Sequence, residues 1–209
     1  MLEKINLEEL IREINWQKVD KLLPVIVQDI RSSEVLMLGY MNEEALRASF
    51  EKKRVVFYSR TKKRLWLKGE ESGNFLDIVN LGLDCDKDSL LILAKPCGVT
   101  CHTGTISCFE EVSKEADFVF LARLARLINE RKNADESTSY TAKLFKSGTK
   151  RIAQKVGEEG VETALAACVR DKFELANEAA DLLYHLEVLL ADLDLSLNDV
   201  IAVLKQRNH

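Results

Sequence analysis

Residues 110–117, EEVSKEAD, mark the point where the chain changes character. Both prolines, Pro24 and Pro96, and both tryptophans, Trp16 and Trp66, lie before it. From Glu111 onward there is no proline, and the only glycines are Gly148, Gly157 and Gly160. Pro and Gly are the residues that most interrupt helices, so the second half can be helical almost throughout. The segment is charged rather than Gly/Ser-rich. It reads as a boundary between residues 1–112 and 113–209, not as a long flexible linker. A chain of 209 residues suits two domains.

The halves differ in period. Residues 24–30 and 35–41 flank Arg31-Ser32-Ser33 as a hairpin. Asn42 can cap a helix over 43–52. Strands are expected at 55–59, 65–68, 75–83 and 89–94. Helices are expected at 117–132, 150–169, 172–191 and 197–206. Asp171 with Glu174, and Ser196 with Asp199, resemble capping boxes. The expected fold is therefore multidomain: a strand-rich α+β domain followed by an all-α domain.

Hydrophobic residues make up 46% and charged residues 31%, the balance of a globular protein. The net charge of −4 forces no basic surface, so no nucleic-acid partner is expected. No apolar run is long enough for a membrane span. The N-terminal stretch, MLEKINLEELIREI, lacks a basic region followed by an apolar one, so no signal peptide and a cytoplasmic location are expected. There the five cysteines stay reduced, which favours metal or catalytic roles over disulfides.

Asp84-Cys85-Asp86-Lys87-Asp88 ends a predicted strand. Alternation would put Asp84, Asp86 and Asp88 on one face and Cys85 on the other. Three carboxylates suit a hard cation such as Mg²⁺; a thiolate suits Zn²⁺. The competing reading is an Asp-rich turn. Cys101 and Cys108 raise the thiol count to three, the usual number of protein ligands at a catalytic zinc. His102, beside Cys101, can carry a proton. Cys97 is a fourth candidate, and four cysteines would make a closed structural site; spacing leaves both open. Cys168 reads as a core residue. Arg60, Arg64 and Lys68 can meet phosphate, and Trp66 offers a stacking face. The alternative for this stretch is an exposed basic hairpin with a packed tryptophan.

RLWLKGEESGN (residues 64–74), DCDKD (84–88) and CHTGTISCF (101–109) resemble the successive signatures of phosphoribosyl-AMP cyclohydrolases. The resemblance implies zinc on Cys85, Cys101 and Cys108, shared across a homodimer, and magnesium on Asp84, Asp86 and Asp88. It leaves Cys97 free. It implies hydrolytic opening of the adenine ring between N1 and C6, with His102 as proton carrier. Glu70, Ser72 and Gly73 of the first signature join Arg60, Arg64, Trp66 and Lys68 as expected substrate contacts.

The second half carries Glu158-Glu159-x-x-Glu162 and Glu178-x-x-Asp181 inside predicted helices. Residues three apart share a helix face, so Glu159/Glu162 and Glu178/Asp181 form two acidic pairs. Antiparallel helices joined near Arg170 would bring the pairs together as a hard-cation site. The competing reading is a solvated acidic face, but Glu158, Glu162 and Glu178 border apolar stripes. Lys155, one turn before Glu159, can meet a phosphate. His185 reads as a packing residue.

Residues 130–167 and 174–186 resemble phosphoribosyl-ATP pyrophosphatases and, more broadly, the all-α MazG-like nucleotide pyrophosphohydrolases. The resemblance implies Mg²⁺ on Glu159, Glu162, Glu178 and Asp181, with Glu158 as a further ligand or as the base that orients water. Arg131, Lys132, Lys143 and Lys150 become expected phosphate contacts. Pyrophosphate would leave by cleavage between the α and β phosphates. The product would be the substrate of the first reaction. The alternatives are a non-catalytic zinc module joined to a helical dimerisation bundle, or a general nucleotide pyrophosphohydrolase.

Overall fold

In the computed structural model, which describes Leu2 and residues 5–208, the first strands form a hairpin. Strand β1 (Leu23–Asp29) pairs antiparallel with β2 (Val35–Met41). Leu23, Val25 and Val27 point inward while Ile26 faces out, as the pleat demands. Ser33, at φ +58°, makes the turn. Asn42 follows β2, and its side chain accepts the Ala45 N–H at 2.9 Å, which starts α2 (Glu43–Lys52). The Ser49 hydroxyl donates to the Ala45 carbonyl at 2.8 Å and accepts the Val56 N–H at 2.9 Å. One buried side chain thus ties α2 to β3 (Val56–Ser59).

Strand β3 pairs antiparallel with β4 (Arg64–Leu67) as a separate two-stranded sheet. Strands β5 (Leu76–Leu83) and β6 (Leu90–Pro96) are antiparallel and complete the main sheet in the order β2-β1-β6-β5. β1 and β6 run parallel. A parallel pair needs a crossover, and the chain between them supplies it with α2 and the small sheet. Leu23, Leu36, Met41, Leu46, Phe57, Leu76, Leu90 and Ile92 form the buried centre. Helix α1 (Leu7–Glu13), capped by Asn6, adds Ile11 to this core.

After α3 (Glu110–Ser113) the chain is helical: α4 (Asp117–Glu130), a 3₁₀ turn (Arg131–Asn133), α5 (Tyr140–Ser147), α6 (Thr149–Cys168), α7 (Lys172–Asp192) and α8 (Leu197–Arg207). Two compact units result, Met1–Phe120 and Leu121–His209, and the division falls inside α4. The second unit packs around Ile128, Leu144, Ile152, Val188 and Ala191. Helices α6 and α7 make a hairpin through residues 169–171, with Arg170 at φ +59°. The Asp171 carboxylate accepts the Phe173 and Glu174 N–H groups, both at 3.0 Å, and opens α7. Ser196 and Asp199 form the capping box of α8. Among the described residues no helix is long and apolar enough to cross a membrane.

The α+β unit and the all-helical unit are those expected from sequence, and the expected elements end within one or two residues of those observed. Two expectations are corrected. Cys168, expected in the core, is exposed at the end of α6. Residues 84–88 are a turn, not a strand end. The Asp84 carboxylate accepts the Asp88 N–H at 3.0 Å and the Ser89 N–H at 3.1 Å, and Lys87 sits at φ +62°. A short acidic side chain that captures nearby N–H groups competes with the strand ladder and wins here. Helix α5 was not expected. It is a two-turn helix bounded by the Ser139 cap and Gly148, in a polar stretch with little periodic signal.

Gly39 on β2 lies under the Phe57 ring, and a Cβ there would fall 2.3 Å from a ring carbon. Gly39→Ala is expected to lower unfolding free energy by about 1–3 kcal/mol, read as a shifted urea midpoint. In α7, burial raises the Glu187 carboxyl above its ordinary value. The native state therefore holds this proton more tightly than the unfolded state does. Stability from this group is full below about 4.5, the ordinary glutamate value, and is lost as pH rises through the raised value. Glu187→Gln is expected to gain stability over the parent at pH 7–8 and to match it near pH 4 in thermal melts.

Candidate active sites

The first candidate site is built on the loop after β6. The Thr100 N–H donates to Ile106 O at 3.2 Å, and the Cys101 N–H to Thr105 O at 3.0 Å, closing a small turn with Gly104 at φ +87°. The Ser107 hydroxyl donates to Val35 O at 2.6 Å and the Cys108 N–H to Leu36 O at 2.8 Å, which anchors the loop to β2. The loop thereby brings the Cys101 and Cys108 thiols together. The Thr103 hydroxyl donates to Cys101 Sγ at 3.1 Å and is the largest cause lowering this thiol to about 6. Cys108 is pushed up to about 11, first by burial and then by the charge on Cys101. The pair is thus set to share one proton. One thiol is already a ready soft ligand. Lys68 is buried within electrostatic reach of both thiols and donates to Asn74 O at 3.3 Å. His102 is exposed, with Nδ1 3.8 Å from Cys101 Sγ.

Cys85 is exposed in the 84–88 turn. Among the described residues it does not join Cys101 and Cys108 in one cluster. Cys97 donates to Asp77 Oδ2 at 3.3 Å, and Asp77 accepts Arg54 Nε at 2.9 Å. Burial, and then this contact, raise the Cys97 thiol, so it is engaged away from the pair. Asp84, Asp86 and Asp88 lie within 4.8 Å of one another. They do so through the turn rather than through strand alternation. The Lys18 ammonium bridges Asp86 and Asp88, and it holds Asp88 below the usual carboxylate range.

The segment expected to meet substrate is partly committed to itself. Arg64 pairs with Glu70 at 2.6 Å and donates to Leu65 O at 2.8 Å. The Arg60 guanidinium lies over the Tyr40 ring, 3.8 Å from its centroid. Trp66 stacks on Phe57 with centroids 5.8 Å apart and packs against the core, so one ring face is already taken. Ser72 Oγ accepts the Asn74 N–H, and Gly73 turns the loop at φ +76°.

The second candidate site lies on the α6–α7 hairpin. Glu159, Glu178 and Asp181 gather within 4.8 Å. Glu162 stands outside this trio, but its charge acts on Glu178. Lys155 pairs with Glu159 at 2.7 Å and with Glu158 at 2.9 Å, and it is the largest cause lowering both. Lys155 is therefore spent on carboxylates rather than free for phosphate. Among the described residues Glu178 Oε2 is buried without a hydrogen-bond partner. Burial first, and then Glu162, Glu174 and Glu159, raise its carboxyl. Such an atom calls for a proton or a cation, and the all-oxygen donor set fits a hard divalent ion.

His185 is buried behind this cluster. Its Nδ1 lies 2.8 Å from Asp181 O and 3.6 Å from Glu159 Oε1, and its Nε2 lies 3.2 Å from Tyr140 Oη. It is a packing residue that lies against Glu159 of the cluster. Sequence spacing pointed to its turn-by-turn relation with Asp181 but not to Tyr140, which lies on the unexpected α5. Arg131, Lys143 and Lys150 are exposed. Lys132 binds Ala191 O at 2.9 Å and Asp194 at 2.8 Å. Ala191 is roughly 15 Å along α7 from Asp181 by helical rise, so Lys132 is not gathered to the cluster.

The first unit thus carries a thiol pair and an aspartate turn, and the second a cluster of carboxylates alone. The family profile of phosphoribosyl-AMP cyclohydrolase matches residues 37–110, and that of phosphoribosyl-ATP pyrophosphohydrolase matches residues 121–208. The molecule is thus of the hydrolase class, with two catalytic domains. It is 73% identical over 203 residues to "Histidine biosynthesis bifunctional protein HisIE" of Campylobacter jejuni, covering 97% of this chain and 98% of that protein. It is 63% identical over 198 residues to the protein of that name from Pasteurella multocida (94% and 98% covered), and 61% identical over 197 residues to that of Escherichia coli K12 (94% and 96% covered). The chain belongs to the bifunctional phosphoribosyl-AMP cyclohydrolase and phosphoribosyl-ATP pyrophosphohydrolase family of histidine biosynthesis.

Glu178→Gln removes the buried charge that a cation would neutralise. Without divalent ions the variant is expected to melt no lower than the parent. With millimolar Mg²⁺ the parent is expected to gain thermal stability and the variant to gain little. Equal gains in both would remove Glu178 from the ligand set.

Proposed function

We propose that the first domain works with zinc held by Cys85, Cys101 and Cys108, and the second with magnesium held by Glu159, Glu162, Glu178 and Asp181. The domain boundary is placed at residues 112/113, so that α4 goes whole to the second domain. The observation that carries the first assignment is the Cys101–Cys108 pair, with its low-pKa thiol. The observation that carries the second is the partnerless buried oxygen of Glu178 beside Glu159 and Asp181.

Zinc would supply a bound water acidified towards neutrality for attack on the adenine ring. His102, exposed beside Cys101, takes the proton from the attacking water and returns it to the departing ring nitrogen. Lys68 balances the negative charge of the thiol pair. Arg60, Arg64, Glu70, Ser72 and Gly73 belong to the loop that would cradle the phosphoribosyl group. For Arg64 this means exchanging Glu70 for phosphate. Asp84, Asp86 and Asp88 form an oxygen cluster suited to a second Mg²⁺.

In the second domain, Mg²⁺ would neutralise the triphosphate as pyrophosphate leaves. Glu158 stays ionised beside Lys155, which suits it to orient the attacking water. Arg131, Lys143 and Lys150 can bring positive charge to the phosphates.

Cys85 lies apart from the other two thiols, so a second copy of the chain is proposed to complete the zinc site. The sheet face offers a surface for that copy. Leu38, Ile26 and Leu91 are cross-strand neighbours on β2, β1 and β6, and all three are exposed. A row of large apolar side chains on an open sheet favours burial against a like surface. A cytoplasmic location completes the reading.

Two variants assayed for both half-reactions test the assignment. Cys101→Ala is expected to lose ring opening by ~100-fold or more while keeping pyrophosphate release. Glu178→Gln is expected to do the reverse. Loss of both activities in a folded variant would contradict independent sites.

A further inference from the structure

Lys18 belongs to neither family signature, yet it is bound to one of the two acidic clusters. It lies in the connection between α1 and β1, 68 residues before Asp86. Its ammonium bridges Asp86 and Asp88. Two further contacts bind the same segment to the same turn. The Asn15 N–H donates to Lys87 O at 2.8 Å, and Lys87 pairs with Glu13 at 2.8 Å. The Trp16 indole N–H donates back to Ile11 O at 3.0 Å and fixes the segment to α1. Residues 13–18 thus form a strap across the aspartate turn.

We propose that Lys18 is a tethered counter-cation of the Asp84/Asp86/Asp88 cluster, and that a divalent ion entering the cluster must displace its ammonium from Asp86 and Asp88. The argument is one of shared ligands. Three carboxylates confined to one turn repel each other, and a cation among them relieves the repulsion. The oxygens that Lys18 holds, one on Asp86 and one on Asp88, are of the kind a hard divalent ion takes, and they belong to two of the three acids of the cluster. An ammonium is a point charge with three donors, able to bridge two carboxylates but unable to match the multiple coordination of a divalent ion. The incoming ion therefore wins the contest, at a cost in affinity set by the lost ion pairs. Freed, the ammonium stays beside the site on its tether. It then becomes a positive group available to the phosphate of a bound nucleotide. Lys18 is in these terms a positioning residue. It holds the turn in shape and sets how tightly the turn takes a metal.

The proposal rests on the reading of the aspartate turn as a metal site, and the experiment separates the two. Mn²⁺ binding is measured by electron paramagnetic resonance in the Glu178→Gln background, which removes the second-domain cluster from the count. The aspartate site is the binding that disappears in Asp88→Asn. Lys18→Met is expected to bind Mn²⁺ there about fivefold tighter than the parent, the scale set by losing two exposed ion pairs. Lys18→Arg, which keeps the charge and two-carboxylate reach, is expected to stay close to the parent. Lys87→Met is the control for net charge, since Lys87 is in the turn but pairs with Glu13 instead of an aspartate. Unchanged or weaker binding in Lys18→Met overturns the proposal. So does an equal gain in Lys87→Met, which would make the effect one of overall charge. If no Mn²⁺ binding is sensitive to Asp88→Asn in any variant, the metal reading of the turn itself falls.

Discussion

Negative groups crowded within 4.8 Å repel one another, and each site in this chain depends on backbone that holds them together against that repulsion. In the first unit the holding is done by a turn. Asp84 accepts two backbone N–H groups and fixes Asp86 and Asp88 beside it. In the second unit it is done by the α6–α7 hairpin, whose two helices place Glu159, Glu178 and Asp181 together. A lysine stands at each cluster: Lys18 bridges Asp86 and Asp88, and Lys155 pairs with Glu159 of the second cluster and with its neighbour Glu158. Like charge is concentrated, and a cation on a flexible stem stands next to it.

The thiol pair obeys the same constraint by a different route. Cys101 and Cys108 cannot both ionise at close range without a counter-charge. The Thr103 hydroxyl stabilises one thiolate, and burial keeps the other protonated. The loop that holds them hangs from β2 through Ser107 and Cys108. The parallel pairing of β1 with β6 is what brings the end of β6, and hence this loop, alongside the β1–β2 hairpin. The sheet topology is therefore a condition for the site.

The two activities belong to one sequence of steps. Pyrophosphate release from phosphoribosyl-ATP yields phosphoribosyl-AMP, which ring opening then consumes. The two reactions act on different parts of the nucleotide, the polyphosphate chain and the adenine ring. The two reactions are carried by separate domains, and the switch in composition at residues 110–117 is the trace of that division.

Local rules in the sequence determined most of the fold. The apolar runs flanking Arg31-Ser32-Ser33, the Asn42 cap and the proline-free second half each specify structure over a few residues, so β2, α2, α6 and α7 were legible directly. The i,i+3 spacing of Glu178 and Asp181 likewise fixed a shared helix face. The order of the reactive residues was legible too, because a motif is a local pattern. Tertiary structure decided what depends on distant partners. It made 84–88 a turn, since Asp84 found backbone N–H groups there. It drew Cys97 to Asp77, set Trp66 on Phe57 and spent Lys155 on two glutamates. It left Glu178 Oε2 buried without a partner, and it placed Lys18 on the aspartates across 68 residues of chain. No local signal marks such pairings, because whether a charge is solvated, paired or stranded is settled only when the chain has packed around it.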